Sequence, residues 1–344
     1  MRAGRLLGRW GLLIVFLAVF GGFSAWIPGK FPTSGNVHDI LTSQPPGIFI
    51  AYAAMLVLVV GEFDLSIGAT LGVSQYLVLK LITHYGLSWQ AAVVATLACG
   101  AAIGLFNAIA VVGLGINSFI ATIGIATILT GLVEWISNGN APIFGGAPHG
   151  FTTLARTEVG SIVLPVYYAL GATIVLWLLL EFTVIGRQMR ATGANRVTAR
   201  LSGIRTGRAR FTAFILAGLL AAVGGLLITA QVGAADATSG PGYLLPAYAA
   251  AFLGATAIRP GFFNVWGTLI AIFLVAIGIT GLQLKGIESW VTPVFNGSVL
   301  LLAVAVSRVA ATQQVMARAR SAVGGRRSSS APSTPTQPPA GEQP

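Results

Sequence analysis

Apolar residues in this chain come in runs of roughly twenty, separated by short clusters of Gly, Pro, Asn and charged residues. That spacing fits helices crossing a bilayer. Reading the runs against these breakers predicts an all-α integral membrane protein of about ten transmembrane helices, over residues 10–27, 47–61, 65–83, 90–112, 117–137, 163–183, 210–231, 244–258, 262–283 and 289–307. The second and eighth runs are short for a full crossing and are expected to be broken or tilted. The periodicity ends near residue 308, which closes a transmembrane domain over 1–308. The remaining 309–344, with Ser328, Ser329, Ser330 and five prolines, cannot build a core and reads as a disordered cytoplasmic tail.

Basic residues give the runs an orientation. Seven arginines, Arg187, Arg190, Arg196, Arg200, Arg205, Arg208 and Arg210, crowd the loop at 187–210 between two apolar runs. Short basic loops stay cytoplasmic, because moving guanidinium groups through hydrocarbon is costly. Starting from a cytoplasmic N-terminus held by Arg2, Arg5 and Arg9, the ten-run count puts 16 of the 20 basic residues inside, with both termini cytoplasmic. Those three arginines before an apolar run also resemble a cleavable signal. The run continues through Phe23, Ala25, Trp26 and Ile27 without a clear small-x-small site, which favours a retained first helix.

Composition agrees with the membrane reading: 55% of residues are apolar, 8% are charged, and the mean hydropathy is +0.83. The net charge of +11 sits in loops and tails, where topology and anionic lipid headgroups explain it without nucleic acid. Cys99 is the single cysteine, so no intramolecular disulfide forms.

A short repeat is visible. Gly115-Ile116-Asn117-Ser118-Phe119-Ile120 recurs as Gly286-Ile287-Glu288-Ser289-Trp290-Val291. With five crossings between them, the copies would run in opposite directions, a common plan in transporters. Gly100 and Gly104, and Gly218, Gly224 and Gly225, are small positions at which helices can approach closely.

The intramembrane polar groups are few. Glu62, Asp64 and Ser66 lie in Gly61-Glu62-Phe63-Asp64-Leu65-Ser66-Ile67-Gly68, at the junction of the second and third runs. A carboxylate at membrane depth needs a partner or a polar cavity, so this element either lines a solute path or gate, or caps the next helix at a tight turn. Asn117, Phe119, Ser118, Thr122, Thr127 and Thr130 lie on the fifth run, where hydroxyls serve mainly in packing. Enzymatic motifs are absent: no lysine sits in a Walker A loop, His38, His84 and His149 are far apart, and Gly-x-Ser-x-Gly is missing. The chain reads as a conduit with no metal, no cofactor and no ATPase site of its own.

In the arginine loop, Asn195 is placed to cap a short helix on which Val197, Leu201 and Ile204 form one apolar stripe, with Arg196, Arg200 and Ser202 off it. Such a helix can lie in a partner's groove, or rest on lipid headgroups.

Four stretches in order, Gly61–Gly68, Ser118–Gly124, Ala199–Ile204 and Trp266–Ile270, carry a resemblance to the membrane-spanning permease subunit of ribose-type ABC sugar importers, over roughly 45–308. The resemblance implies that the element holding Glu62, Asp64 and Ser66 belongs to the translocation core, and Asn117 and Phe119 are the further candidates for the path or gate. It implies equally that Asn195, Val197, Arg200, Leu201, Ser202, Gly203 and Ile204 dock onto an ATPase. The partners implied are an ABC ATPase that binds the ATP, an extracytoplasmic solute-binding protein and a second permease copy, in a bacterial plasma membrane. The chain departs from the family pattern at Leu244-Leu245, where an acidic pair is usual, at Arg259-Pro260-Gly261, and at Ile279, Thr280 and Gln283, which implies a subgroup with its own solute. A motor-independent channel or secondary transporter is the alternative, and it would need several buried ionisable groups along the path.

Overall fold

The computed structural model describes residues 2–139, 141–236, 238–258, 261–288 and 290–306, without the side chains of 2–10. Arg259, Ser289 and the tail 309–344 lie outside the described residues. In chain order the helices are α1 Arg2–Trp26, α2 Ser34–Ser43, α3 Pro45–Val59, α4 Ile67–Thr83, α5 Trp89–Ala108 with a π turn Ile109–Gly113, α6 Ser118–Ile136, α7 His149–Arg156, α8 Leu164–Phe182, α9 Val184–Ala194, α10 Arg196–Leu201, α11 Thr206–Val232, α12 Pro241–Gly254, α13 Val265–Leu284 and α14 Val291–Val306. Two small antiparallel pairs, which the all-helical reading did not anticipate, join Ile143–Phe144 to Ala234–Ala235 and Glu158–Val159 to Ile162–Val163.

The expectation of ten crossings is not met. Among the described residues, five helices are long and apolar enough to cross a membrane: α5 with its π turn, α6, α8, α11 and α13. The pair α2 and α3, bent by 45° at Gln44, makes a sixth if counted as one span. Nearly every apolar run does become helical, but length decides. At 1.5 Å per residue the 15 residues of α3 and the 17 of α4 reach only about 22–26 Å, short of a hydrocarbon core of about 30 Å. The inside–outside tally built on ten crossings falls with that count. So does the inverted direction of the two repeat copies, although Gly115 and Gly286 both take a positive φ (73° and 83°) shortly before α6 and α14.

Helix α3 is apolar on every face and every one of its residues is buried, so it runs inside the bundle and not along its outer face. Around it pack α11, α12, α13 and α8. Small residues set the closest approaches. A Cβ on Gly104 would lie 2.3 Å from the carbonyl oxygen of Phe214, and one on Gly218 would lie 2.2 Å from that of Gly100, so α5 and α11 meet backbone to backbone. Gly225 likewise lets α11 touch the backbone of α4 at Leu71, and Phe23 of α1 lies flat on Gly281 of α13.

Candidate functional site: the break between α3 and α4 and the arginine loop

Helix α3 ends because Gly61 takes a left-handed φ of 77°, and the chain closes with Gly61 N–H donating to Leu58 O and Glu62 N–H to Val57 O. Phe63 to Ser66 are then unwound, so their backbone N–H groups have no helical partners and need others. Side chains supply them in turn. Phe63 N donates to Ser118 Oγ (3.2 Å), Asp64 N to the Tyr248 hydroxyl (2.9 Å), Leu65 N to Thr122 Oγ1 (3.0 Å) and Ser66 N to Asp64 Oδ1 (2.9 Å). The Tyr248 hydroxyl also donates back to Asp64 O (3.0 Å), so one phenol from α12 satisfies both backbone groups of Asp64. The break is therefore held open by α6 and α12.

Beneath it lies a closed polar cluster. Ser66 Oγ donates to Asp64 Oδ1 (2.6 Å), while Asn107 Nδ2, from α5, donates to Ser66 Oγ (2.6 Å) and lies 3.4 and 3.3 Å from the two Asp64 carboxylate oxygens. Asp64 is 1% exposed and Asn107 also 1%, and Asn107 Oδ1 finds no partner. Ser66 makes no side-chain cap to α4. The capping chemistry belongs to Asp64, whose carboxylate closes an Asx-type turn just before the helix.

Glu62 points the other way, toward the arginine loop. Its Oε1 lies 2.7 Å from Arg210 Nη2 of α11 and also pairs with Arg196 of α10. Arg210 further donates to Val111 O in the π turn (3.3 Å). The backbone joins in as well: a Cβ on Gly193, at the end of α9, would lie 2.0 Å from Val59 O, so the loop is seated directly on the end of α3.

Of the five path candidates, Glu62, Asp64 and Ser66 meet in the break. Asn117 and Phe119 flank it on the first turn of α6 and are exposed, with Asn117 Oδ1 capping Phe119 N and Ile120 N. The neighbours that bond to the break are Ser118 and Thr122. Asn107 and Tyr248 were missed by sequence reasoning, although a lone Asn in the apolar run at 90–112 carries the cost of an unpaired amide in hydrocarbon and was itself a signal. In the loop, Asn195 Oδ1 caps α10 through Thr198 N (3.0 Å). Val197 and Leu201 are 69% and 84% exposed, and Arg200, Ser202 and Gly203 are exposed beside them. The expected three-residue stripe is shorter than anticipated: α10 ends at Leu201 and Gly203 turns with a φ of 78°, so Ile204 is off the helix and half-buried. Among the described residues no group of three His, Cys, Asp or Glu is placed to hold a metal ion.

Over residues 36–304 the chain matches the family described as branched-chain amino acid transport system / permease component. It is 34% identical to the ribose import permease protein RbsC of Bacillus subtilis, across 79% of this chain and 84% of that protein. It is 28% identical to the D-allose transport system permease protein AlsC of Escherichia coli, across 88% and 91% of the two chains. The autoinducer 2 import system permease protein LsrD of Salmonella paratyphi A is 28% identical across 85% and 88%. No solved structure matches the chain.

Proposed function

Because this chain belongs to the branched-chain amino acid transport system / permease component family, and is a membrane-spanning permease subunit of a ribose/allose-type ABC carbohydrate importer, we propose that its arginine loop receives the stroke of an ATPase and passes it to the break at Glu62. The observation that carries this reading is the double pairing of Glu62 with Arg196 and Arg210, which ties the exposed docking helix α10 to the unwound segment Phe63–Ser66. Glu62 is 7% exposed between the two guanidinium groups, of which Arg196, on the α10 side, is 40% exposed, so the connection to α10 is short and half-buried.

An ABC importer works with an ATPase and a solute-binding protein, and family membership implies both. In this reading Val197, Leu201 and Arg200 face the ATPase, Asn195 and Gly203 fix the two ends of α10, and ATP binds the partner alone. Asp64, Ser66, Asn117 and Phe119 then sit along or beside the path, and a second permease copy shares it across the exposed apolar face of α6, which includes Phe119, Ile120, Ile128 and Trp135. The protein is multi-pass, and the crowded arginines favour a cytoplasmic loop in a bacterial inner membrane. The solute is proposed to be a small sugar, as the names of the ribose and allose relatives suggest.

The test is uptake of labelled D-ribose and D-allose by vesicles carrying the permease with its ATPase and binding protein. ATP inside the assay should drive accumulation and an imposed proton or sodium gradient should not. Accumulation driven by an ion gradient without ATP would overturn the importer reading in favour of secondary transport.

A further inference from the structure

The corner between α8 and α9 is tightly built. Helix α8 ends at Phe182, and Thr183 turns the chain into α9, its Oγ1 accepting from Gly186 N (3.1 Å) and donating to Leu179 O (2.6 Å). A Cβ on Gly186 would lie 2.2 Å from Leu179 O, so the first turn of α9 rests directly on the last turn of α8. Arg190 pairs with Glu181 across the same corner. The corner therefore presents its outward side chains in a fixed arrangement.

Those side chains form an amphiphilic track. Leu170, Ile174, Leu178 and Phe182, at intervals of four, are all exposed and give α8 one continuous apolar stripe. The stripe turns the corner through exposed Val184 and Ile185 and ends at Arg187, whose Nη1 lies 3.5 Å from Phe182 O. At 1.5 Å per residue the 19 residues of α8 reach about 28 Å, close to a hydrocarbon core of about 30 Å, so a crossing α8 brings Arg187 to the level of the headgroups. Arg187 is also uncompensated. No Asp or Glu occurs from 182 to 235, a stretch holding seven arginines, and among the described residues Arg187 makes no ion pair. The chain beyond Glu288 adds only Glu342, so the charge has to be met from outside the chain.

We propose that this corner binds an anionic phospholipid, with Arg187 on the headgroup phosphate and an acyl chain along the stripe of α8. A guanidinium offers a phosphate two parallel donors, and a guanidinium at the end of an apolar stripe selects a molecule that carries a negative head on an apolar tail. The exposed helix α10 begins beyond the far end of α9, about 10 Å along the helix axis from Arg187, which leaves the corner to lipid and α10 to the ATPase. A lipid held there braces α9 from the membrane side. Only the consequence of that brace for the ATPase stroke rests on the importer reading.

Native mass spectrometry of the detergent-purified full chain tests the site, with phosphatidylglycerol as the anionic probe and phosphatidylcholine of equal chain length as the neutral one. Wild type should retain phosphatidylglycerol about fivefold better. Arg187→Gln should remove that preference, and Arg187→Lys, which keeps the charge, should retain most of it. Arg208→Gln removes an exposed arginine elsewhere in the same loop and should leave the preference unchanged. In nanodiscs the α9 amides of wild type should exchange deuterium about fivefold more slowly in phosphatidylglycerol than in phosphatidylcholine, and those of Arg187→Gln at one rate in both. No preference in wild type would overturn the site, and so would an equal loss in Arg208→Gln, which would mean that the summed charge of the loop alone attracts lipid. A preference kept by Arg187→Gln while ATPase co-purification is lost would assign the corner to the ATPase and overturn the proposal as well. Both lipid readouts use the permease alone, so a transporter without ATP-driven uptake would overturn the importer reading and leave the lipid site standing.

Discussion

Glu62 Oε1 lies 2.7 Å from Arg210 Nη2, and the two side chains are 7% and 11% exposed. A pair this dry is stable only while both charges are present. Glu62→Gln should therefore strand the Arg210 guanidinium and destabilise the folded protein by about 3–5 kcal/mol. Glu62→Gln/Arg210→Met, which removes both charges, should recover most of the loss. Thermal unfolding of the detergent-purified variants reads both effects, and a Glu62→Gln protein that melts with wild type would show that the pair carries no stability.

Asp64→Asn keeps an oxygen for Ser66 N–H but turns the other carboxylate oxygen into a donor facing Asn107 Nδ2. The cluster loses its charge, and Asn107 can offer its free Oδ1 to the new donor only by giving up its bond to Ser66 Oγ, so uptake should fall by about tenfold or more while the protein still inserts and binds its ATPase. ATP-driven uptake at matched protein amounts decides between the roles. Near-normal uptake would reduce Asp64 to a turn-forming residue.

The 27 residues of α11 span about 40 Å, which sets its two ends on opposite sides, and the basic cluster favours the Arg205 end as the cytoplasmic one. Arg205 precedes its first turn, and Arg156 of α7 donates to Gln231 O at its far end (2.9 Å). On a Cys99→Ala background, a cysteine at His149 should label from outside and one at Arg205 only after permeabilisation. Outside labelling at 205 would reverse the orientation and remove the docking role of the loop.

Leu201 is 84% exposed, so Leu201→Asp should leave the isolated permease within about 0.5 kcal/mol of wild type. In the assembled transporter the same change places an unpaired charge at the docking contact and should weaken ATPase association by about 2–4 kcal/mol. Co-purification and stimulated ATP hydrolysis measure it. Unchanged association would mean that α10 rests on lipid headgroups.

Much of this arrangement was legible in the residues. The run at 47–61, short for a crossing, does form a helix that ends early, and Asn195 caps α10 as its place before the stripe implied. The number of crossings was not legible. Hydropathy marks where a helix forms, whereas the bend at Gln44 and the left-handed turn at Gly61 set whether it reaches across; α3 and α4 fall short by about a turn. The partners of the break were hidden for a different reason. Tyr248 bonds to Asp64 across 184 positions and Arg196 to Glu62 across 134, and no local pattern encodes such pairings. Glu62, expected as a path residue, pairs with two arginines of the loop that no local pattern could have named.

Arg196→Gln isolates the coupling itself, because it removes the grip of α10 on Glu62 while Arg210 still neutralises the buried carboxylate. The measurement is the amount of sugar taken up per ATP hydrolysed by the reconstituted transporter. Assembly and ATP hydrolysis should stay near wild type, while uptake per ATP falls about fivefold or more. A ratio equal to wild type would contradict transmission of the ATPase stroke to the break through Glu62.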